Sequence, residues 1–549
     1  MTEGANPEAV AGHADDQRAV FDLLADPATH GIPGPVKRID THAAAVFLAG
    51  PNVYKVKKAI RFPFMDQSTL ALRRHACEAE LLVNRRFTPE LYLGVVPIVR
   101  VGDQLRLGGS GAPVEWAVHL KRFDETMTLD LVAERGGITL RMIAEIATLI
   151  RDSHRAAAVG DGVAATEALG GVVAETLNEL IEAPAIFPAA EAKALATAMS
   201  SAFDNVRDLL LSRGAAGRVR RCHGDLHLRN IALLDRGPVL FDAIEFSEEI
   251  ATTDVLYDLA FALMDLWERG LSAEANLLLN RYLWGCEDMA AELAGLAALP
   301  LFMSLRASVL AKIAAIRFRD VDRVPATRAE AVRYFETACD LHRSDGPVLV
   351  AIGGLSGSGK TTLAARLAPA IGRAPGAVHL RSDIERKRML GAGELERLPE
   401  TAYDRATTDR VFAALREMAE TTIRTGHSVI VDAVHKTVEE RGLLRAVAER
   451  AGARFAGLWL DAPVSVLVDR VTGRMDDASD ATADLVRAQV RDPLGEIEWT
   501  RLDASAPLEA LASAATDAVD GQSGKVIGAD VGASAKRLVS RRPRRGSRR

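Results

Sequence analysis

Lysine is scarce in this chain of 549 residues, with twelve lysines against fifty-six arginines. Where a plain positive surface charge suffices, the chain uses arginine, so each lysine marks a place where a compact ammonium is wanted. Lys55, Lys57 and Lys360 are the informative ones. Cysteine is scarcer still. Cys77, Cys222, Cys286 and Cys339 lack metal-ligand spacing, which argues against a zinc framework and predicts free thiols in a reducing compartment. Long apolar runs are missing too: no eighteen uncharged apolar residues stand together, and the start, MTEGANPEAVAGHADD, lacks the basic-then-apolar order of a signal peptide. A cytoplasmic protein without a membrane partner is expected.

The formal charge is −6, but eight basic residues lie beyond residue 535, which leaves −14 on the rest. An acidic body with a short basic tail argues against a broad nucleic-acid surface. At 48% hydrophobic and 26% charged, the composition is globular, and the length calls for two or three domains.

The most informative stretch is Gly354-Leu355-Ser356-Gly357-Ser358-Gly359-Lys360-Thr361-Thr362, set between an apolar run, Val348 to Ile352, and a helix-compatible segment. A phosphate-binding loop needs this order: glycines let successive N–H groups turn inward, and the following helix N-terminus adds partial positive charge. Lys360 would reach the β- and γ-phosphates of ATP, and the Thr361 hydroxyl would bind Mg²⁺. A flexible glycine turn that happens to carry a lysine is the alternative.

Upstream, residues 1–39 read as a lead-in. Ala43 to Leu48 and Val53 to Val56 flank turn chemistry at Ala49-Gly50-Pro51-Asn52, a β-hairpin whose Lys55 and Lys57 share one face. A helix from Leu70 to Phe87 carries Glu78 and Glu80, which point about 200° apart. Strands follow at 91–101, 104–107 and 114–120, and then helical spacing takes over. Inside that helical half lies Cys222-His223-Gly224-Asp225-Leu226-His227-Leu228-Arg229-Asn230, followed by two strands ending at Asp242. Asp225 can take a hydroxyl proton, while Asn230 and Asp242 can hold Mg²⁺, with Glu245 a possible further ligand. His223 is expected to shape the loop through packing or a backbone bond.

The segments HGDLHLRN and FDAIEF resemble the catalytic and metal-binding segments of the aminoglycoside phosphotransferase family, relatives of protein kinases, over about residues 40–343. The resemblance implies a bilobal kinase-like fold, with Asp225 as catalytic base and Asn230 and Asp242 as metal ligands. It also implies that Lys55 and Glu78 form the phosphate-orienting ion pair. Two departures stand out: no G-x-G-x-x-G loop precedes Lys55, and Ala243-Ile244 follow Asp242.

Ser344-Asp345-Gly346-Pro347 reads as a linker. Beyond it, apolar strands alternate with helices over residues 347–520, which predicts a doubly wound parallel sheet with the nucleotide at its carboxyl edge. Asp383 follows the second strand and Asp432 ends the third, the first placed as acceptor base and the second as holder of the metal's water shell, although each could instead cap a helix. Arg470 and Arg474 lie one turn apart before a lid-like stretch and would neutralise the transferring phosphoryl group, a solvated arginine face being the alternative. GLSGSGKTT, RSD, VDA and DRVTGR resemble small P-loop kinases of the gluconate kinase, chloramphenicol phosphotransferase and polynucleotide kinase type. The joined arrangement resembles a bifunctional aminoglycoside phosphotransferase and AAA-type ATP-binding protein. Residues 521–549 read as a basic disordered tail.

The expected function is phosphoryl transfer from ATP to a small-molecule hydroxyl at two nucleotide sites. A regulatory nucleotide-binding module, or a nucleic-acid end kinase in the P-loop half, is the alternative.

Overall fold

The computed structural model describes residues 17–41, 43–62, 65–473 and 478–521. Arg474 and the basic tail lie outside the described residues.

The first lobe is an antiparallel sheet of β1 (Lys37–Asp40), β2 (Ala44–Ala49), β3 (Asn52–Lys57), β4 (Tyr92–Val101), β5 (Gln104–Leu107) and β6 (Ala112–Lys121), ordered β1-β2-β3-β6-β4-β5. The boundary expected at residue 40 therefore moves upstream. Helix Arg18–Ala25 sinks Val20 and Leu24 into the sheet's core, and β1 pairs along β2 from Lys37↔Leu48 to Asp40↔Ala45. The Gly and Pro residues between them end the helix without ending the lobe.

Helix α1 (Leu70–Asn84) lies on this sheet, capped by the Thr69 side chain, which accepts from the Leu72 N–H. Its buried face is Arg73, Cys77, Glu80 and Asn84, a spacing of four, three and four that one helix face requires.

The second lobe is helical. It includes α2 (Leu140–Ala156), the hairpin β7 (Ile231–Leu234) and β8 (Gly237–Leu240), α3 (Val255–Glu268), α4 (Ser272–Trp284) and α5 (Leu299–Arg317). Every residue of α3 from Val255 to Leu266 is buried, which makes it the lobe's central helix. The most apolar helical stretch, Met289–Val321, has the length and composition of a membrane span, but its most apolar window is 78% buried within the fold.

The last unit holds five parallel strands, β9 (Val348–Gly353), β10 (Val378–Arg381), β11 (Val429–Asp432), β12 (Arg454–Asp461) and β13 (Thr500–Asp503), ordered β10-β11-β9-β12-β13. Helices α6 (Lys360–Leu367), α7 (Ser382–Met389) and α8 (Val464–Thr472) follow β9, β10 and β12. All six residues of β9 are buried, as a strand covered on both faces must be. The order reverses at β9, so its carboxyl end opens into a crevice. One face of this sheet shares a continuous apolar core with the helical lobe, through Leu349, Val378 and Leu415 on one side and Leu259 and Leu279 on the other.

Candidate active sites

Between the lobes of the first unit is a cavity of about 400 Å³, roofed by apolar side chains such as Val46, Leu48 and Leu120 and floored by Asp225, Asp242 and Glu245. Lys55 on β3 points into it. Its ammonium donates to Glu80 at 2.9 Å and to Asp242 at 2.7 Å. Burial alone would lower the Lys55 pKa, but Asp242 and Glu80 outweigh it and hold the ammonium well above its ordinary range.

The expected partner Glu78 is corrected here. Glu78 is half exposed and pairs with Arg74 at 2.8 Å, one turn away on the same helix. Glu80 is completely buried, and its second oxygen lies 2.6 Å from Lys57, which also pairs with Glu245. The helix phase decides the matter, because Glu80 continues the buried face through Arg73 and Cys77 while Glu78 falls outside it. The signal was present in sequence as the spacing from Cys77. Glu80→Ala removes the buried carboxylate that Lys55 and Lys57 share, leaving Lys55 with Asp242 and Lys57 with Glu245, so it is expected to cost about 3 kcal/mol of stability. Glu78→Ala is expected to cost less than about 0.5 kcal/mol. Chemical denaturation compares the two, and equal losses would refute the assignment.

Asp242 adopts a left-handed backbone with φ 59°, rare for a residue with a side chain, and its N–H donates to the Tyr92 hydroxyl at 3.2 Å. That turn after β8 swings the carboxylate to Lys55. Asn230 donates its amide to the Asp225 carboxylate at 3.0 Å and to the Asp225 carbonyl at 2.9 Å, which fixes the loop. His223 is buried and its ring donates to the Phe241 carbonyl at 3.0 Å, so it ties this loop to the end of β8.

Asp225 and His227 lie 3.3 Å apart. Burial would raise the Asp225 carboxyl, but the His227 ring and, more weakly, His223 and Arg306 bring it down to about 2. His227 moves the other way: burial favours its neutral ring, and Asp225 outweighs this and raises it above 6.5. The carboxylate's share of stability is present above its ordinary 3.8 and lost as pH falls through about 2. The imidazolium's share is full below 6.5 and lost as pH rises through the raised value. The stability gap between wild type and His227→Gln is therefore expected to be larger at about pH 5 than at about pH 9. Denaturation curves at both values test this, and an equal gap would contradict it.

The second site lies at the carboxyl edge of the parallel sheet. Gly354 has φ 140°, and a Cβ there would stand 2.7 Å from the Leu460 carbonyl. At Gly357, with φ 85°, a Cβ would stand 2.5 Å from the Leu467 carbonyl. Only glycine fits either place. The loop delivers Lys360 at the start of α6, where its ammonium donates to the Gly354 carbonyl at 2.9 Å and the Leu355 carbonyl at 3.1 Å. The Thr361 hydroxyl donates to Asp432 at 2.6 Å, and the His379 ring approaches the same oxygen at 3.3 Å. Burial works against ionising Asp432, but His379 and then Lys360 and Arg381 pull its pKa below the carboxylate range. Asp383 goes up instead, through burial and the nearby Asp432.

A cavity of about 350 Å³ on one side of the loop is lined by Lys360, Thr361, Asp383, Arg386, Asp432 and Lys436. On the other side a cavity of about 420 Å³ is lined by Gly357, Gly359, Thr362 and Arg470. Arg470 donates to the Ala504 carbonyl at 2.9 Å, at the mouth of that second cavity. The Ser356 N–H donates to Gln489 at 2.9 Å, and the Ser358 hydroxyl is buried with no hydrogen-bond partner among the described residues. Sequence reasoning missed His379, whose role appears only when β10 is laid beside β11.

Residues 138–299 match the family model described as phosphotransferase enzyme family, and residues 349–495 match the one described as AAA domain. The chain joins a phosphotransferase domain to a P-loop kinase-like domain. An uncharacterized protein of Mycobacterium tuberculosis is 28% identical over 485 residues, which cover 86% of this chain and 92% of that protein. Among solved structures, a choline/ethanolamine kinase family protein from Mesorhizobium loti is similar at 17% identity and TM-score 0.38, over 60% of this chain and 95% of its own. A gluconokinase from Sinorhizobium meliloti is similar at 22% identity and TM-score 0.24, over 32% of this chain and 93% of its own. Domains of both kinds imply ATP with a divalent cation. The oxygen donors present suit a hard cation: Asn230 and Asp242 in the phosphotransferase half, Thr361 and Asp432 in the P-loop half.

Proposed function

We propose that the protein transfers the γ-phosphoryl group of Mg²⁺-ATP to small-molecule hydroxyls, and that each half holds its own nucleotide. The observation that carries this is a repeated arrangement. In each half an ammonium, oxygen donors and a separate carboxylate meet around one cavity: Lys55, Asp242, and Asp225, the last with Asn230 bonded behind it; then Lys360, Thr361 with Asp432, and Asp383.

Mg²⁺, when bound, would draw charge from the phosphate oxygens. In the phosphotransferase half Lys55 orients the phosphates, with Glu80 behind it holding the ammonium in place. Asp225 is ionised at neutral pH and, steadied by Asn230 and His227, takes the proton of the attacking hydroxyl. The new bond joins that oxygen to the γ-phosphorus, and the bond to ADP breaks. In the P-loop half Asp383 takes the same part, with a carboxyl made more basic by its burial. Lys360 and the loop N–H groups hold the phosphates, while Arg470 offsets charge on the transferring group.

The test is a titration with a non-hydrolysable ATP analogue. Two equivalents bind to wild type, and in Lys360→Ala only one of them keeps its wild-type affinity. Asp242→Asn weakens the remaining site, and raised magnesium partly restores it, because a metal ligand has been lost. Binding of one equivalent to wild type would overturn the two-site reading.

A further inference from the structure

Helix α4 belongs to the phosphotransferase half, yet one of its faces is used by the P-loop half. Strand β10 is the edge of the parallel sheet, and an edge leaves a row of backbone groups unpaired. Here α4 pairs them. Asn276 donates to the Ala377 carbonyl at 3.0 Å, Asn280 donates to the same carbonyl at 3.2 Å and accepts from the His379 N–H at 2.7 Å, and Trp284 donates to the His379 carbonyl at 2.8 Å. Residues 276, 280 and 284 are spaced by four and so lie on one face. Asn276 and Asn280 are only 4% and 3% exposed, and buried amides are costly unless bonded, so this seam holds only in one register.

From the seam, two buried chains of contacts run to the two sites. On the P-loop side, the His379 whose backbone is clamped by Asn280 and Trp284 places its ring against the Asp432 oxygen that also accepts from Thr361. On the other side, Tyr282, about 200° around α4 from Asn280, bonds the His154 ring at 3.0 Å. The same ring reaches Asp258 at 3.0 Å. Asp258 in turn accepts from the Gly224 N–H at 2.8 Å and the His223 N–H at 3.3 Å, immediately before Asp225. His154, Tyr282 and Asp258 are 3%, 2% and 0% exposed.

We propose that α4 is a shared support of both sites: Asn280 positions His379 against Asp432, Tyr282 positions the Asp225 loop through His154 and Asp258, and nucleotide bound at one site changes affinity at the other. This rests on the two-site reading. A ligand that draws Asp432 or the Asp225 loop into a new place must move, or be resisted by, the same rigid helix. By linkage the effect is reciprocal, the same factor in both directions.

The full chain is titrated with a non-hydrolysable ATP analogue and magnesium. Lys55→Ala supplies the isotherm of the P-loop site and Lys360→Ala that of the phosphotransferase site. In wild type the stepwise constants are expected to depart from the sum of those isotherms by about fivefold or more, the lower end of measured coupling. Tyr282→Phe cuts the chain on one side and Asn280→Asp on the other. Each is expected to bring the departure below about twofold while two equivalents still bind. Tyr282→Phe leaves the seam untouched, so it decides the matter if Asn280→Asp misfolds. Two equivalents binding to wild type as a plain sum would overturn the coupling alone. A departure that persists in Tyr282→Phe would overturn the route through α4. A single equivalent in wild type would overturn the two-site reading and the coupling with it.

Discussion

Asp225→Asn, made in a Lys360→Ala background so that the P-loop half is silent, is expected to lower phosphotransfer by about 100-fold or more, with little change in ATP affinity. The size follows from what is removed and what is kept. Asn230 donates to the Asp225 carboxylate at 3.0 Å, and an asparagine can accept that bond through its own amide oxygen. The loop is also held by the Asp258 contacts to Gly224 and His223, which the substitution leaves in place. Geometry is thus retained while the proton acceptor is lost. Single-turnover assays separate the two effects. Wild-type turnover in the variant would mean that this half keeps the fold of a phosphotransferase without its chemistry.

Lys360→Ala is expected to weaken nucleotide binding at the P-loop half by about tenfold or more, the worth of a charge-assisted contact to phosphate. It is also expected to cut turnover there by about 100-fold or more, as losing a charge-stabilising donor does. The fold should survive. The lysine stands at the first position of α6, and its ammonium meets loop carbonyls in place of core. Far-ultraviolet circular dichroism and melting check the fold, and labelled-nucleotide binding checks the site. Unchanged affinity and turnover would remove the P-loop from the account.

The P-loop half was legible because its signals are local. Strand, glycine loop and helix follow one another, and the four strands 348–352, 377–380, 428–431 and 455–460 expected from apolar runs correspond to β9 to β12. The fifth strand, Thr500–Asp503, was not read, since Thr-Arg-Leu-Asp carries too little apolar pattern and is a strand because β12 lies beside it. The part that helix α4 plays at the sheet edge is hidden in the sequence for a related reason. Asn276 and Asn280 interrupt its apolar face, and they make sense only against Ala377 and His379, about a hundred residues away. Glu80 could have been read from helix phase alone, since it lies three residues from Cys77 on the buried face while Glu78 does not. Long-range pairing and the choice between neighbouring acids were therefore the parts that needed three dimensions.

The central claim is two centres that move phosphate to small molecules. Its most direct test incubates γ-labelled ATP, magnesium and a metabolite extract with wild type, Asp225→Asn, Lys360→Ala and the double variant. Label is expected on small molecules with wild type, on a reduced set with each single variant, and on none with the double variant. Label that stays on the protein, or small-molecule label in the double variant equal to wild type, would contradict the account.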